Sequence, residues 1–254
     1  MSLLRTFCIA LLFVTLAPFA PALAEAVKFK ASDGLEVTGE VTKPATGGST
    51  AIVLFHQAGS SRGEYKEIAP RLAKLGYTVL AVDQRSGNHF DGVKNQTAKR
   101  AKDAGKATAY TDALPDLKAA ATYARDTLGA KRVVLWGSSY SAALAIVIAG
   151  TDPKLIDGVL AFSPGEYFGG KPGIASSAAN ITIPTFITSA KTEQQQWAGI
   201  IKAIPDATTK TGFVPNGAGV HGSSALIKSR SKAADEYWAA VKAFLMKNFP
   251  PQAS

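Results

Sequence analysis

The feature that most narrows the fold of this chain is the alternation of short apolar runs with stretches of helical spacing. Ala51-Ile52-Val53-Leu54-Phe55 is continuously apolar and of strand length, and it follows a Pro/Gly/Thr loop over 43–49. Such a run fits a strand buried on both faces, as in a parallel sheet covered by helices. Helical spacing follows over 64–75 and stops at Gly76, a natural residue just past a helix end. The pattern then recurs. Strands over 77–82, 132–136, 158–162, 184–189 and 208–214 alternate with helices over 111–128, 140–149, 193–203 and 223–248. Thr111 or Asp112 caps the first of these helices, and the last breaks near 229–231. Two further strands, 27–31 and 35–42, flank Asp33-Gly34 as a hairpin. The alternation predicts an α/β fold: a mostly parallel, twisted sheet with right-handed crossovers and helices on both faces, in one domain over 25–254. Connections at 84–110 and 163–183 are unusually long, which marks them as borders of a substrate site.

The first 24 residues stand apart. Arg5 is the one charge in the opening residues, an apolar stretch runs over 6–20, and Ala22-Leu23-Ala24 ends it in an A-x-A pattern. This layout predicts a secretory signal peptide cleaved after Ala24, hence a periplasmic or secreted protein. The apolar stretch is shorter than the ~20 residues that span a bilayer, so no stable membrane insertion is expected after cleavage. Cys8, the single cysteine, leaves with that segment, which excludes a cysteine nucleophile, a cysteine zinc site and a disulfide from the mature chain. The formal charge of +9 includes a basic cluster at Lys94, Lys99, Arg100, Lys102 and Lys106. That cluster lacks interleaved aromatics, so it reads as a solvated basic surface and no nucleic-acid partner is expected.

Arg132-Val133-Val134-Leu135-Trp136 runs directly into Gly137-Ser138-Ser139-Tyr140-Ser141 and then the apolar Ala142-Ala143-Leu144-Ala145-Ile146. A buried strand, a tight turn of small residues and an apolar helix are the context of a nucleophile elbow, G-x-S-x-G, here with Ser141 at the last position. Ser139 is the candidate nucleophile, and the competing role for it is an ordinary helix cap. Ser138 is the other hydroxyl, off the pattern by one. A serine needs a base, and the chain offers only His56, His89 and His221.

On these motifs the chain resembles the α/β-hydrolase superfamily, and within it the dienelactone-hydrolase-like esterases, although those use cysteine where Ser139 stands. The resemblance implies an α/β-hydrolase fold with little or no cap domain and a triad in the order serine, acid, histidine. His221, in the glycine-rich loop 215–222, is then the base. Glu193, in Ala190-Lys191-Thr192-Glu193, is the acid, with Glu166 in Ser163-Pro164-Gly165-Glu166 as the alternative. The oxyanion hole would use the Tyr140 N–H with that of Ala58, or else Gln57, in His56-Gln57-Ala58-Gly59, a turn similar to H-G-x-G. His56 braces this loop and His89 is exposed. The implied activity is cleavage of a small ester-type substrate through an acyl-enzyme, with no metal or cofactor. Thioester or peptide hydrolysis on the same residues is an alternative. A catalytically silent hydrolase fold serving as a periplasmic binding protein is the rival, kept open by Ser141 and Gln57.

Overall fold

A computed structural model describes residues 24–251. The segment read as a signal peptide lies outside the described residues except for Ala24, which begins the first strand. Eight strands form one sheet: β1 (Ala24–Lys30), β2 (Glu36–Thr42), β3 (Thr50–Phe55), β4 (Thr78–Asp83), β5 (Arg132–Ser138), β6 (Gly158–Phe162), β7 (Thr185–Thr188) and β8 (Lys210–Phe213). Their spatial order is β1-β2-β4-β3-β5-β6-β7-β8. β1 and β2 pair antiparallel about the Asp33-Gly34 turn, β2 joins β4 antiparallel, and every pair from β4 to β8 is parallel.

The helices are α1 (Ile68–Lys74), α2 (Gln96–Asp103), α3 (Leu114–Asp126), α4 (Tyr140–Thr151), α5 (Ile174–Ala178), α6 (Gln194–Ala203) and α7 (Ala234–Asn248). Side chains alternate across the pleat, so each central strand supplies two cores. Val53, Phe55 and Leu135 face α3, α4, α5 and α6, whereas Ile52, Leu54 and Trp136 face α1 and α7. β3, β4 and β6 are buried at every residue, the doubly covered state that their apolar runs imply. Among the described residues no helix is long and apolar enough to cross a membrane.

Several elements differ from the sequence reading: the connection 163–183 contains α5, and the helix expected over 111–128 is a 3₁₀ turn, Tyr110–Ala113, followed by α3. The helix expected over 64–75 is a 3₁₀ turn, Arg62–Tyr65, followed by the short α1. The connection 84–110 contains α2, with the Asn95 side chain accepting from Ala98 N–H at 2.8 Å as its cap. Only Thr97, Ala98 and Ala101 face inward there, too small to give an apolar periodicity amid the basic residues. Part of that basic cluster is structural, since Arg100 donates to Glu36 O at 2.9 Å and to Thr38 Oγ1. The final helix starts at Ala234, after a 3₁₀ turn over Gly222–Leu226, so the break is wider than the sequence suggests.

Parallel register aligns the carboxyl ends of the central strands. Phe55 pairs with Gly137, Ser138 with Phe162, Phe162 with Thr188, and Thr188 with Phe213. The loops leaving this row carry all the candidate site residues, at the edge where open α/β sheets bind ligands.

Candidate active site

Ser139 stands between β5 and α4 at φ 60° and ψ −123°, a conformation that L residues rarely adopt. Holding it there costs about 1–3 kcal/mol, strain of the kind stored at functional turns. Its side chain makes no capping bond, which removes the helix-cap role. Its N–H donates to Phe162 O at 2.8 Å, anchoring the turn to β6. Gly137 makes the sharp turn possible, because a β-carbon there would collide with the backbone of Ser141 and Ala142. Ser141 tolerates the last position of the motif because its hydroxyl points inward, donating to His56 O at 2.6 Å and accepting from Gln84 Nε2. The substitution thus adds a tie between the elbow and the end of β3.

The His221 imidazole meets Glu193 Oε1 through Nδ1 at 2.6 Å. Glu193 Oε2 accepts from the Ser163 hydroxyl at 2.7 Å, and that hydroxyl accepts from Gly222 N–H at 2.9 Å. The bond to Glu193 raises the pKa of His221 above its ordinary 6.5; partial burial opposes the rise, and the charges of Glu193 and Glu64 add to it. Burial pushes Glu193 up, but its bonds to His221 and Ser163 outweigh burial and hold it below 4.5. The pairing of a carboxylate with an imidazolium contributes to both shifts, and the Ser163 bond adds to that of Glu193. Glu166, the alternative acid, lies elsewhere: it is exposed, and its carboxylate accepts from Ile174 N–H at 2.8 Å and Ala175 N–H at 2.7 Å, at the start of α5.

The histidine loop is fastened to the elbow. Ser223 N–H donates to Ser138 Oγ at 2.9 Å, and the Trp136 indole donates to Ser223 Oγ at 2.9 Å. Gly222, at φ +66°, approaches so closely that a β-carbon would lie 2.5 Å from Ser138 Oγ. His221 and Ser139 are therefore flanking residues of one contact. Among the described residues no hydrogen bond joins the Ser139 hydroxyl to the imidazole. Such bonds are often long in unliganded enzymes and tighten with substrate.

In the loop after β3, Gln57 N–H donates to Glu64 Oε2 at 2.8 Å and already has an acceptor within the protein. Ala58 N–H and Tyr140 N–H have no protein acceptor among the described residues. His56 is fully buried beneath this loop, with Nδ1 on Gln57 O at 2.8 Å and Nε2 accepting from Gln84 N–H at 3.1 Å. Burial pushes its pKa down to about 4, so it is a neutral brace. His89 is exposed.

Sequence reasoning missed three participants. Ser163 is also at positive φ, 54°, directly after β6, and links Glu193 to the histidine loop. Tyr167 donates to Ser163 O at 2.7 Å and so braces the turn after β6 that carries the Ser163 hydroxyl. Glu64 is fully buried and accepts from both Gln57 N–H and Ser138 Oγ. A single acidic residue at the start of helical spacing reads as a solvated helix-end charge, so nothing in the sequence sets Glu64 apart.

Comparison with known proteins agrees with this architecture. The family model described as serine aminopeptidase, S33, matches residues 48–190, which include Ala58, Glu64 and Ser139 and end before Glu193 and His221. A thiohydrolase, apmlB of Arthrinium phaeospermum, is 31% identical over 133 residues, covering 52% of this chain but only 41% of that protein. An esterase from Pyrococcus furiosus superposes with a TM-score of 0.67 at 18% identity, over 92% of this chain and 97% of its own. A dienelactone hydrolase from Anabaena variabilis gives 0.69 at 14% identity, over 90% and 99%. At such identities these two structures establish the fold, and the family match carries the class of enzyme. The chain is a hydrolase of the α/β-hydrolase fold and belongs to the serine aminopeptidase S33 family.

Proposed function

We propose that this enzyme cleaves ester-type bonds in a small-molecule substrate with Ser139 as nucleophile, His221 as base and Glu193 as acid. One observation carries the reading: a histidine paired with a carboxylate at 2.6 Å sits on a loop fastened to the strained turn that presents Ser139. His221 Nε2 removes the hydroxyl proton as Ser139 Oγ attacks the carbonyl carbon. The negative oxygen of the tetrahedral intermediate accepts from Ala58 N–H and Tyr140 N–H, which have no acceptor to give up among the described residues. The imidazolium, stabilised by Glu193, returns its proton to the leaving alcohol. Water then attacks the acyl-enzyme with His221 again as base, releasing the acid and restoring Ser139.

A second reading, thioester cleavage on the same residues, is favoured by the 31% identity to a protein named a thiohydrolase. The two differ only in the leaving group. Matched acyl esters and acyl thioesters distinguish them: higher kcat/KM is expected on the esters, and the reverse preference assigns the thioester activity. Neither turning over would overturn both. The A-x-A pattern ending at Ala24 further supports export with cleavage of the leading segment. N-terminal sequencing of the mature protein tests this, and an intact Arg5 would contradict it.

A further inference from the structure

Glu64 is a carboxyl buried to 1% exposure, and no basic side chain forms an ion pair with it among the described residues. Burying an acid without an ion-pair partner works against stability, and a glutamine or apolar residue would be the cheaper occupant. Groups kept at such cost concentrate at functional sites. Where its bonds lead is specific. Oε2 holds Gln57 N–H at 2.8 Å, which fixes the peptide before Ala58. Oε1 holds the Ser138 hydroxyl at 2.7 Å, one residue from Ser139. That same hydroxyl accepts from Ser223 N–H at 2.9 Å, two residues from His221. Two oxygens thus gather the oxyanion loop, the elbow and the histidine loop.

Resting on the triad proposed above, we propose that Glu64 is a positioning residue that holds these three loops in register, and that its negative charge supports the imidazolium formed at His221 in each turnover. Both carboxylate oxygens accept hydrogen bonds, the arrangement that the ionised form satisfies. Burial raises the Glu64 pKa, while the bonds from Gln57 and Ser138 and the charges of His221 and Arg230 oppose the rise. The acidic groups facing His221 are Glu193, on its Nδ1, and Glu64, whose Oε1 lies 3.8 Å from where a β-carbon on the adjoining Gly222 would stand. The neighbouring Tyr65 hydroxyl is buried and donates to Phe55 O at 2.6 Å, so it remains neutral.

The test compares wild-type protein with Glu64→Gln and Ser138→Ala, reading kcat and KM on a p-nitrophenyl ester, labelling by a fluorophosphonate, and the His221 imidazole titration by NMR. Glutamine keeps the shape and removes the charge. It is expected to lower kcat and the labelling rate by about ten- to a hundredfold with KM nearly unchanged, as displacement of reacting groups does. It is also expected to move the imidazole titration to lower pH, because a negative neighbour has been lost. Wild-type rates, or lowered rates with an unmoved imidazole, would overturn the proposal. Should Glu64→Gln fail to fold, Ser138→Ala decides, since it keeps the carboxyl and cuts the ties to elbow and histidine loop. A lower kcat is expected, and an unchanged kcat would overturn the proposal. If wild-type protein neither labels nor turns over, the triad reading fails by itself, while the imidazole shift in Glu64→Gln still reports whether the Glu64 charge reaches His221.

Discussion

The Ser163 hydroxyl donates to Glu193 Oε2 at 2.7 Å, on the carboxylate whose other oxygen meets His221 at 2.6 Å. Because the same hydroxyl accepts from Gly222 N–H, it fixes both the acid and the loop that carries the base. Ser163→Ala leaves one carboxylate oxygen and one buried N–H without their partner. The expected result is a fall of about tenfold in kcat with a stability loss of about 1–3 kcal/mol, read by steady-state kinetics and denaturant titration. Unchanged kcat would remove Ser163 from the site.

The pH profile should carry the mark of the His221–Glu193 pair. Base catalysis needs neutral imidazole, and the His221 pKa lies above 6.5, so activity is expected to fall as pH drops through that raised value. Glu193→Gln removes the main cause of the rise. It should shift the acid limb to lower pH and reduce kcat by about 10²–10⁴-fold through loss of the oriented imidazole. An acid limb that stays in place in Glu193→Gln would exclude this carboxylate as the partner.

The same pair has a signed effect on stability. His221, with its folded pKa raised, contributes fully below 6.5, and its contribution is lost as pH rises through the folded value. Glu193, with its folded pKa lowered, contributes fully above 4.5, and its contribution is lost as pH falls through the folded value. Thermal melts should therefore show the difference between wild type and Glu193→Gln at its largest between 4.5 and 6.5. A difference that grows above that window would contradict the assignment.

Glu166→Ala separates the two acids named by the sequence. Its carboxylate binds the first amides of α5, so the expected loss is about 0.5–2 kcal/mol of stability, the usual cost of a lost helix cap. The ester kcat should stay within about twofold of wild type, because no triad bond is touched. A loss comparable to that of Glu193→Gln would reinstate Glu166.

Gly222→Ala probes the contact between the loops. An alanine must hold φ near +66° with its β-carbon 2.5 Å from Ser138 Oγ. The backbone conformation alone costs about 1–3 kcal/mol, and the contact forces the loop outward, taking His221 with it. The expected outcome is a lower melting temperature with a kcat loss larger than the change in KM. Wild-type kcat would mean that this close approach does not set the histidine position.

Much of the fold was legible because its determinants are local or periodic. β3, β5 and α4 carry the apolar runs 51–55, 133–136 and 142–149, so their burial between layers could be read directly, and Gly137 to Ser141 marked the turn between them. His221 followed from chain order once the elbow was recognised. Elements held by side-chain hydrogen bonds left a fainter trace. α2 packs through small residues, and the 3₁₀ turn at Arg62–Tyr65 is held by Ser61 and Asp83, bonds that carry no periodic pattern. The choice between Glu193 and Glu166 was open in the sequence because each acid follows a strand, and their neighbours differ only in space. Ser163 and Glu64 were invisible for the same reason: Ser163 meets Glu193 and Gly222, 30 and 59 residues away, and Glu64 meets Ser138, 74 residues away.

The most direct measurement is the site and pH dependence of fluorophosphonate labelling, mapped by mass spectrometry. The expected result is a single adduct on Ser139, formed faster as His221 loses its proton, and neither adduct nor ester turnover in Ser139→Ala. An adduct on another residue, or ester hydrolysis at the wild-type rate by Ser139→Ala, would contradict it.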